Sequence, residues 1–131
     1  MKGLRIIISG GGTGGHIFPA ISIANALKEL LPDTQILFVG AQDRMEMQRV
    51  PAAGYQIVGL PIRGLVRPLW KPANISIMLD FLKSKRLAKK HIQKFRPHVA
   101  VGVGGYASSA TLNAEHDLGI PCLIQEQNSF A

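Results

Sequence analysis

The sequence is poor in cysteine, in long apolar runs and in clusters of metal-ligating side chains. Cys122 is the single cysteine among 131 residues, so no disulfide can form within the chain. No apolar run approaches the ~20 residues that a membrane-spanning helix needs, and the amino terminus lacks a signal-peptide pattern. We therefore expect a cytoplasmic domain, either soluble or seated on a membrane surface, with no metal and no other cofactor.

Acidic residues are nearly absent from one part of the chain. Between Arg63 and Arg96 ten side chains are basic and only Asp80 is acidic, which gives this segment a charge of +9 within a total of +7. So uneven a distribution indicates an acidic partner such as nucleic acid, a phosphorylated lipid or an anionic membrane.

Short apolar or β-branched runs alternate with helical patterns along the whole chain. Strands are predicted at residues 4–9, 35–39, 55–60, 99–103 and 122–124. Helices are predicted between them, from about residue 17 to 31 and over residues 43–53, 74–95 and 107–118. This alternation predicts an α/β fold with a Rossmann-like, doubly wound parallel sheet, helices on both faces and strand order 3-2-1-4-5.

A glycine-rich turn, residues 10–15, follows the first predicted strand and reads GGGTGG. Its amides and the following helix terminus suit an anion. A dinucleotide site would also need an acid at the end of the second strand, but none occurs before Asp43, and no Gly-Lys-Ser/Thr completes a P-loop. A second glycine-rich turn, residues 102–105, follows the fourth strand, so the predicted strand order places both turns at the switch point. A purely structural tight turn is the alternative.

His16 directly follows the glycine-rich turn. The positive end of a helix dipole disfavours imidazolium, so a histidine at a helix start stays neutral and can accept a proton as a general base. A structural histidine is the other interpretation of this single residue.

Three stretches of the sequence, GGGTGGHIFPA, GAQDRMEMQRVPAAGY and VGVGGYASSATLNAEHDLGIPCLIQEQNSFA, resemble the MurG family of peptidoglycan N-acetylglucosaminyltransferases. The resemblance implies the GT-B architecture, in which two Rossmann-like domains face each other across a cleft. Residues 1–131 would be the amino-terminal, acceptor-binding domain, and the carboxyl-terminal, donor-binding domain would lie outside this chain. The alternative is a stand-alone nucleotide- or phosphate-binding Rossmann-like module without catalysis.

The resemblance implies a reaction as well. N-acetylglucosamine would pass from UDP-N-acetylglucosamine to the undecaprenyl-diphosphate-linked muramoyl pentapeptide, lipid I, giving lipid II with inversion at the cytoplasmic face of the bacterial cell membrane. The family pattern implies that Thr13, Gly14 and Gly15 line the donor sugar and diphosphate. Asn128 would contact the donor sugar hydroxyls, and His16 would be the base.

The resemblance places Gly104, Gly105 and Tyr106 against the acceptor diphosphate. Tyr106 packing as an aromatic at a helix start is an open alternative, and Glu126 is a rival candidate for the base. No Asp-x-Asp pair appears, so nothing in the sequence requires a divalent metal. The chain alone is expected to be catalytically inert, because the donor domain is missing.

A membrane-facing segment is predicted where apolar side chains stand among cations: Leu65, Leu69 and Trp70 beside Arg67 and Lys71. Such a mixture is typical of binding to anionic lipid headgroups. The membrane interpretation extends to residue 79, whereas residues 82–95 are interpreted as a helix with one buried and one solvated face. Nucleic acid is disfavoured as a partner, because aromatics suited to base stacking are not interleaved with the charges.

Overall fold

The computed structural model describes residues 3–10, 14–42, 46–61, 73–103, 111, 114 and 116–124. Its elements, in chain order, are β1 (Arg5–Ser9), α1 (Gly14–Leu30), β2 (Gln35–Ala41), α2 (Glu46–Ala52), β3 (Gln56–Leu60), α3 (Ala73–Phe95), β4 (Val99–Gly102) and β5 (Cys122–Ile124). Residues 111, 114, 116 and 117 are also helical.

The five strands form one parallel sheet in the order β3-β2-β1-β4-β5. Both the parallel sheet and its strand order confirm the sequence-based prediction. β1 is central, and its last residue, Ser9, lies opposite Val39 of β2 and Gly102 of β4. The carboxyl ends of β1 and β4 are therefore neighbours, as the predicted switch point requires.

Alternate side chains of the central strands pack into two separate layers of the core, one on each face of the sheet. Ile6 and Ile8 of β1 pack with Ala20 and Ala24 of α1, while Ile7 packs on the opposite face with α3. Because successive strand side chains point to opposite faces, an uninterrupted apolar strand covers both layers. Helices thus lie on both faces of the sheet, as predicted.

Some helix bounds differ from the sequence pattern. α1 begins at Gly14, so Pro19 lies inside the helix rather than in the predicted first turn. Proline removes one hydrogen bond there, and the carbonyl that it leaves without a helical donor, four residues earlier, belongs to Gly15. α2 begins at Glu46, and the predicted helix start at residues 43–45 lies outside the described residues.

Positive backbone angles follow three of the described helical segments, and one of them is φ 56° at Arg96, directly after α3. Gly54 has φ 93° after α2 and Gly119 has φ 76° before β5, the conformation in which glycine commonly ends a helix. Within the described part of the chain, no helix is both long and apolar enough to cross a bilayer.

Candidate functional site

β1, β4 and β5 all end at the carboxyl edge of the sheet, and predicted site residues follow each of them in the sequence. The N–H of Val103 donates to the carbonyl of Ser9 at 2.9 Å, so β4 stays paired with β1 to the end of both strands. On the other side, the N–H of Gly10 donates to the carbonyl of Val39 at 3.2 Å. The central strand is therefore hydrogen-bonded to both neighbours at its carboxyl end, and α1 begins at Gly14.

Three predicted site residues, Gly14, Gly15 and His16, form the first residues of α1. The sequence-based placement of His16 at a helix start is thereby confirmed. The first four N–H groups of a helix have no intrahelical acceptor, and they carry the positive end of its dipole. Only four residues separate the end of β1 from this end of α1, which is the arrangement that binds phosphate groups in many α/β proteins.

Six other predicted site residues lie outside the described residues: Thr13, Gly104, Gly105, Tyr106, Glu126 and Asn128. Residues 104–106 follow β4 and residues 125–128 follow β5, and both strands run parallel to β1. Parallel strands end at a common edge, so β1, β4 and β5, the strands that precede these groups in the sequence, all end at the same edge of the sheet.

Glu46 is a buried acid at this edge to which sequence reasoning assigned no role. It is the first residue of α2, it is fully buried, and its Oε2 accepts the N–H of Ala41 at 3.2 Å. Ser9, at the end of β1, is also fully buried, and its hydroxyl has no hydrogen-bond partner among the described residues. The signal for Glu46 was its place in the motif GAQDRMEMQRV, shortly after the second strand.

An ion-pair cluster ties the helical residues before β5 to α3. Asp117 lies 2.9 Å from the Nζ of Lys85 and 3.0 Å from the Nζ of Lys89. Hydrogen bonds from these two lysines lower the pKa of Asp117 to about 2. Asp117 is thus held against the basic half of α3.

The amino-terminal half of α3 exposes apolar side chains at helical spacing. Ile75 is 68% exposed, Met78 52%, Leu79 61% and Leu82 56%, and we call these four residues the apolar stripe. The core-facing side of the same helix carries Ile77, Ser84, Ala88 and Ile92. The stripe is continued toward the carboxyl end of α3 by exposed basic side chains, namely Lys83, Arg86, Lys90 and Lys94.

This pattern confirms that residues 82–95 form a helix with one buried and one solvated face, except that Leu82 belongs to the apolar stripe. The predicted membrane residues Leu65, Arg67, Leu69, Trp70 and Lys71 lie outside the described residues. Among the residues that are described, no group of three or more His, Cys, Asp or Glu side chains is arranged to hold a metal ion.

The fold and the edge geometry define a class of protein. A parallel sheet of order 3-2-1-4-5, with a helix amino terminus following its central strand, is a Rossmann-like domain, a class that generally binds ligands at the switch point. Residues 6–131 match the glycosyltransferase family 28 N-terminal domain, and the chain belongs to that family.

Curated relatives from Bacteroides carry the name UDP-N-acetylglucosamine–N-acetylmuramyl-(pentapeptide) pyrophosphoryl-undecaprenol N-acetylglucosamine transferase. The protein of Bacteroides fragilis is 65% identical over 129 residues, which are 98% of this chain and 33% of that protein. The protein of Bacteroides thetaiotaomicron is 64% identical over 131 residues, with 99% and 35% covered. The chain therefore spans about a third of the length of these relatives.

Solved structures agree with this family. The crystal structure of Acinetobacter baumannii MurG matches with a TM-score of 0.82 and 28% identity, over 98% of this chain and 36% of that one. The Streptomyces glycosyltransferase SsfS6 matches with a TM-score of 0.69 at 16% identity, over 94% and 39%, which is a likeness of fold alone. The chain has the Rossmann-like fold of one half of a GT-B glycosyltransferase, as its sequence predicts.

Proposed function

We propose that this chain is the amino-terminal, acceptor-binding domain of an N-acetylglucosaminyltransferase of peptidoglycan synthesis. The whole enzyme would transfer N-acetylglucosamine from UDP-N-acetylglucosamine to lipid I and produce lipid II with inversion. The observation that carries the proposal is the start of α1, which follows the central strand at the switch point in a chain 65% identical to a transferase of that name.

The proposed chemistry is a displacement at the anomeric carbon of the donor sugar. The muramoyl 4-hydroxyl attacks, a base accepts its proton, and UDP leaves. His16 is the proposed base, because it lies in the first turn of α1, where the helix dipole favours a neutral ring. The free N–H groups of that turn stabilise the charge that develops on the leaving diphosphate. Glu126 is the competing base.

The remaining site residues divide between the two substrates. Thr13, Gly14 and Gly15 would contact the donor sugar and diphosphate together with Asn128, whose carboxamide both donates and accepts hydrogen bonds. The residues of the second loop, Gly104, Gly105 and Tyr106, would face the acceptor diphosphate. Most contacts to the UDP moiety would come from a carboxyl-terminal domain of the same protein.

We propose further that the domain sits on the anionic cytoplasmic face of the cell membrane through α3 and the segment before it. The apolar stripe offers side chains that enter the headgroup region, and the cations that follow it match anionic lipid. Each cation near such a surface contributes roughly 1 kcal/mol. Leu65, Arg67, Leu69, Trp70 and Lys71 precede the stripe in sequence and would extend the same surface.

The test uses the full-length protein that contains this chain, with UDP-N-acetylglucosamine and a short-chain lipid I analogue. Formation of the disaccharide product is measured for the unchanged protein, for His16→Ala and for Glu126→Ala. Glu29→Ala is the control, because Glu29 is exposed near the far end of α1. No product from the unchanged protein would contradict the function. Loss of turnover only in Glu126→Ala would reject His16 as the base.

A further inference from the structure

Glu46 places a buried carboxylate beside the point where the chain leaves β1. Its side chain lies directly over Gly40: a Cβ atom at position 40 would stand 2.6 Å from Glu46 Cγ and 3.2 Å from Glu46 Oε2. Glycine at position 40 therefore leaves the space that the glutamate side chain fills. The same Oε2 accepts the N–H of Ala41 at 3.2 Å.

The hydrogen bond to Ala41 continues the ladder between β1 and β2. Along β2 and at the residue that follows it, alternate residues direct their backbone groups to opposite neighbours. The carbonyl of Val39 accepts the N–H of Gly10, whereas the N–H of Gln42, directly after β2, donates to the carbonyl of Leu60 of β3 at 2.8 Å. The next N–H directed toward β1 after Val39 is therefore that of Ala41. Its acceptor is the Glu46 carboxylate, two residues along from Val39, whose carbonyl accepts the N–H of Gly10.

We propose that Glu46 is a positioning residue of the transferase site, an inference that rests on the proposed function. The Glu46 carboxylate accepts the first β2 N–H that faces β1 beyond the hydrogen bond between Gly10 and Val39. In this proposal, that contact fixes the position of Gly10 at the start of the glycine-rich turn. Only three residues separate Gly10 from the start of α1 at Gly14. A displacement of Gly10 is therefore passed to Gly14, Gly15 and His16.

The packing of α2 supports the same coupling. Val50, one turn after Glu46, is fully buried in the cluster that contains Ala20 and Ala24 of α1. The helix that carries the carboxylate thus packs on the helix whose first turn carries His16. A buried carboxylate is costly unless its hydrogen bonds are made, so this side chain is held in one geometry.

The test compares Glu46→Ala with Glu46→Gln in the full-length protein, using the lipid I analogue assay. Glutamine retains an oxygen that accepts the Ala41 N–H, whereas alanine retains none. We expect kcat to fall about 10- to 100-fold in Glu46→Ala, as for a misplaced catalytic group, with a smaller change in KM. Glu46→Gln should recover most of that loss. Gln48→Ala, an exposed change on the same helix, is the matched control.

A second measurement does not depend on turnover. Hydrogen exchange of the amides of residues 10–16 should be about tenfold faster or more in Glu46→Ala, because local opening of the turn becomes easier. Exchange in Gln48→Ala should match the unchanged protein. If the unchanged protein makes no product, the proposed function fails, and the exchange comparison still decides whether Glu46 positions the turn.

Gly40→Ala disturbs the contact between Gly40 and the Glu46 side chain by a change in β2 rather than in α2. It replaces Glu46→Ala in the test if that variant does not fold. The added methyl would displace Glu46, so kcat should fall as in Glu46→Ala. In the Glu46→Ala background the same methyl meets chiefly Ile57 Cδ1, at 3.2 Å, and should add little further loss. Unchanged kcat and exchange in Glu46→Ala, equal losses in Glu46→Gln and Glu46→Ala, or additive losses in the double variant would each overturn the inference.

Discussion

Replacing Ile75 and Leu79 by glutamine tests whether the apolar stripe of α3 binds a membrane. Both side chains are more than 60% exposed, so the change leaves the core layers intact. Full burial of a leucine or isoleucine side chain stabilises by about 1.5–3 kcal/mol relative to exposure. With roughly 60% of each side chain free to be buried, the pair contributes about 2–4 kcal/mol to membrane binding.

This energy predicts a large change in partitioning. Since 1.4 kcal/mol corresponds to a factor of ten, the double variant should bind vesicles about 30- to 700-fold more weakly. The measurement is co-sedimentation of the full-length protein with vesicles that contain phosphatidylglycerol, at fixed ionic strength. Vesicles of phosphatidylcholine alone should bind the unchanged protein more weakly, because the cations that follow the stripe lose their partner.

The matched control is Leu30→Gln at the end of α1. Leu30 is 76% exposed, so this change also removes an exposed apolar side chain, but from a different surface of the domain. Its vesicle binding should equal that of the unchanged protein. An equal loss in Leu30→Gln, or unchanged binding in the Ile75/Leu79 variant, would refute the assignment of this face to the membrane.

Three further predictions concern catalysis and stability. His16→Ala should lower kcat about 10²- to 10⁴-fold, the usual contribution of a general base, and a rate within a few-fold of the unchanged protein would reject that role. Ile7→Ala should lower the free energy of unfolding by about 2–5 kcal/mol in denaturant titration, because Ile7 of β1 is fully buried in the core layer shared with α3. A loss below about 1 kcal/mol would contradict this packing. Asp117 has a pKa of about 2, below its unfolded value near 3.9, so its ion pairs stabilise the fold above pH 4 and lose this effect as the pH falls toward 2. Asp117→Asn should therefore weaken the acid dependence of unfolding, and an identical pH profile would show that the pairs contribute nothing.

The position of the candidate site was accessible from local sequence pattern. The apolar run of β1 ends at a glycine-rich turn, and the run of β4 ends at Gly102, so strand alternation alone predicted that both turns lie at one edge. The start of α1 was less predictable. Glycine is a poor helix former, yet Gly14 and Gly15 are helical, because the packing of Ala20 and Ala24 on β1 sets the helix axis.

Contacts between residues that are far apart in the sequence could not be predicted from local sequence pattern. Nothing local distinguishes Glu46 from the acids that remain in water, such as Glu29. Its burial follows from the absence of a side chain at Gly40, and its hydrogen bond follows from the ladder position of Ala41. Both are consequences of where β1 leaves β2, a property of strand register rather than of neighbouring residues.

Local sequence pattern was sufficient to predict the alternation of strands and helices, the two glycine-rich turns and the basic character of residues 63–96. Hydrophobic periodicity and the backbone freedom of glycine depend only on residues that are close together in the sequence, so the sequence shows them directly. The division of the apolar residues of α3 between the core and the apolar stripe depends on how the helix packs in the folded domain. Ile77 is buried while Met78 and Leu79 are exposed, because hydrophobic attraction has no direction of its own and the sheet covers only one side of the helix.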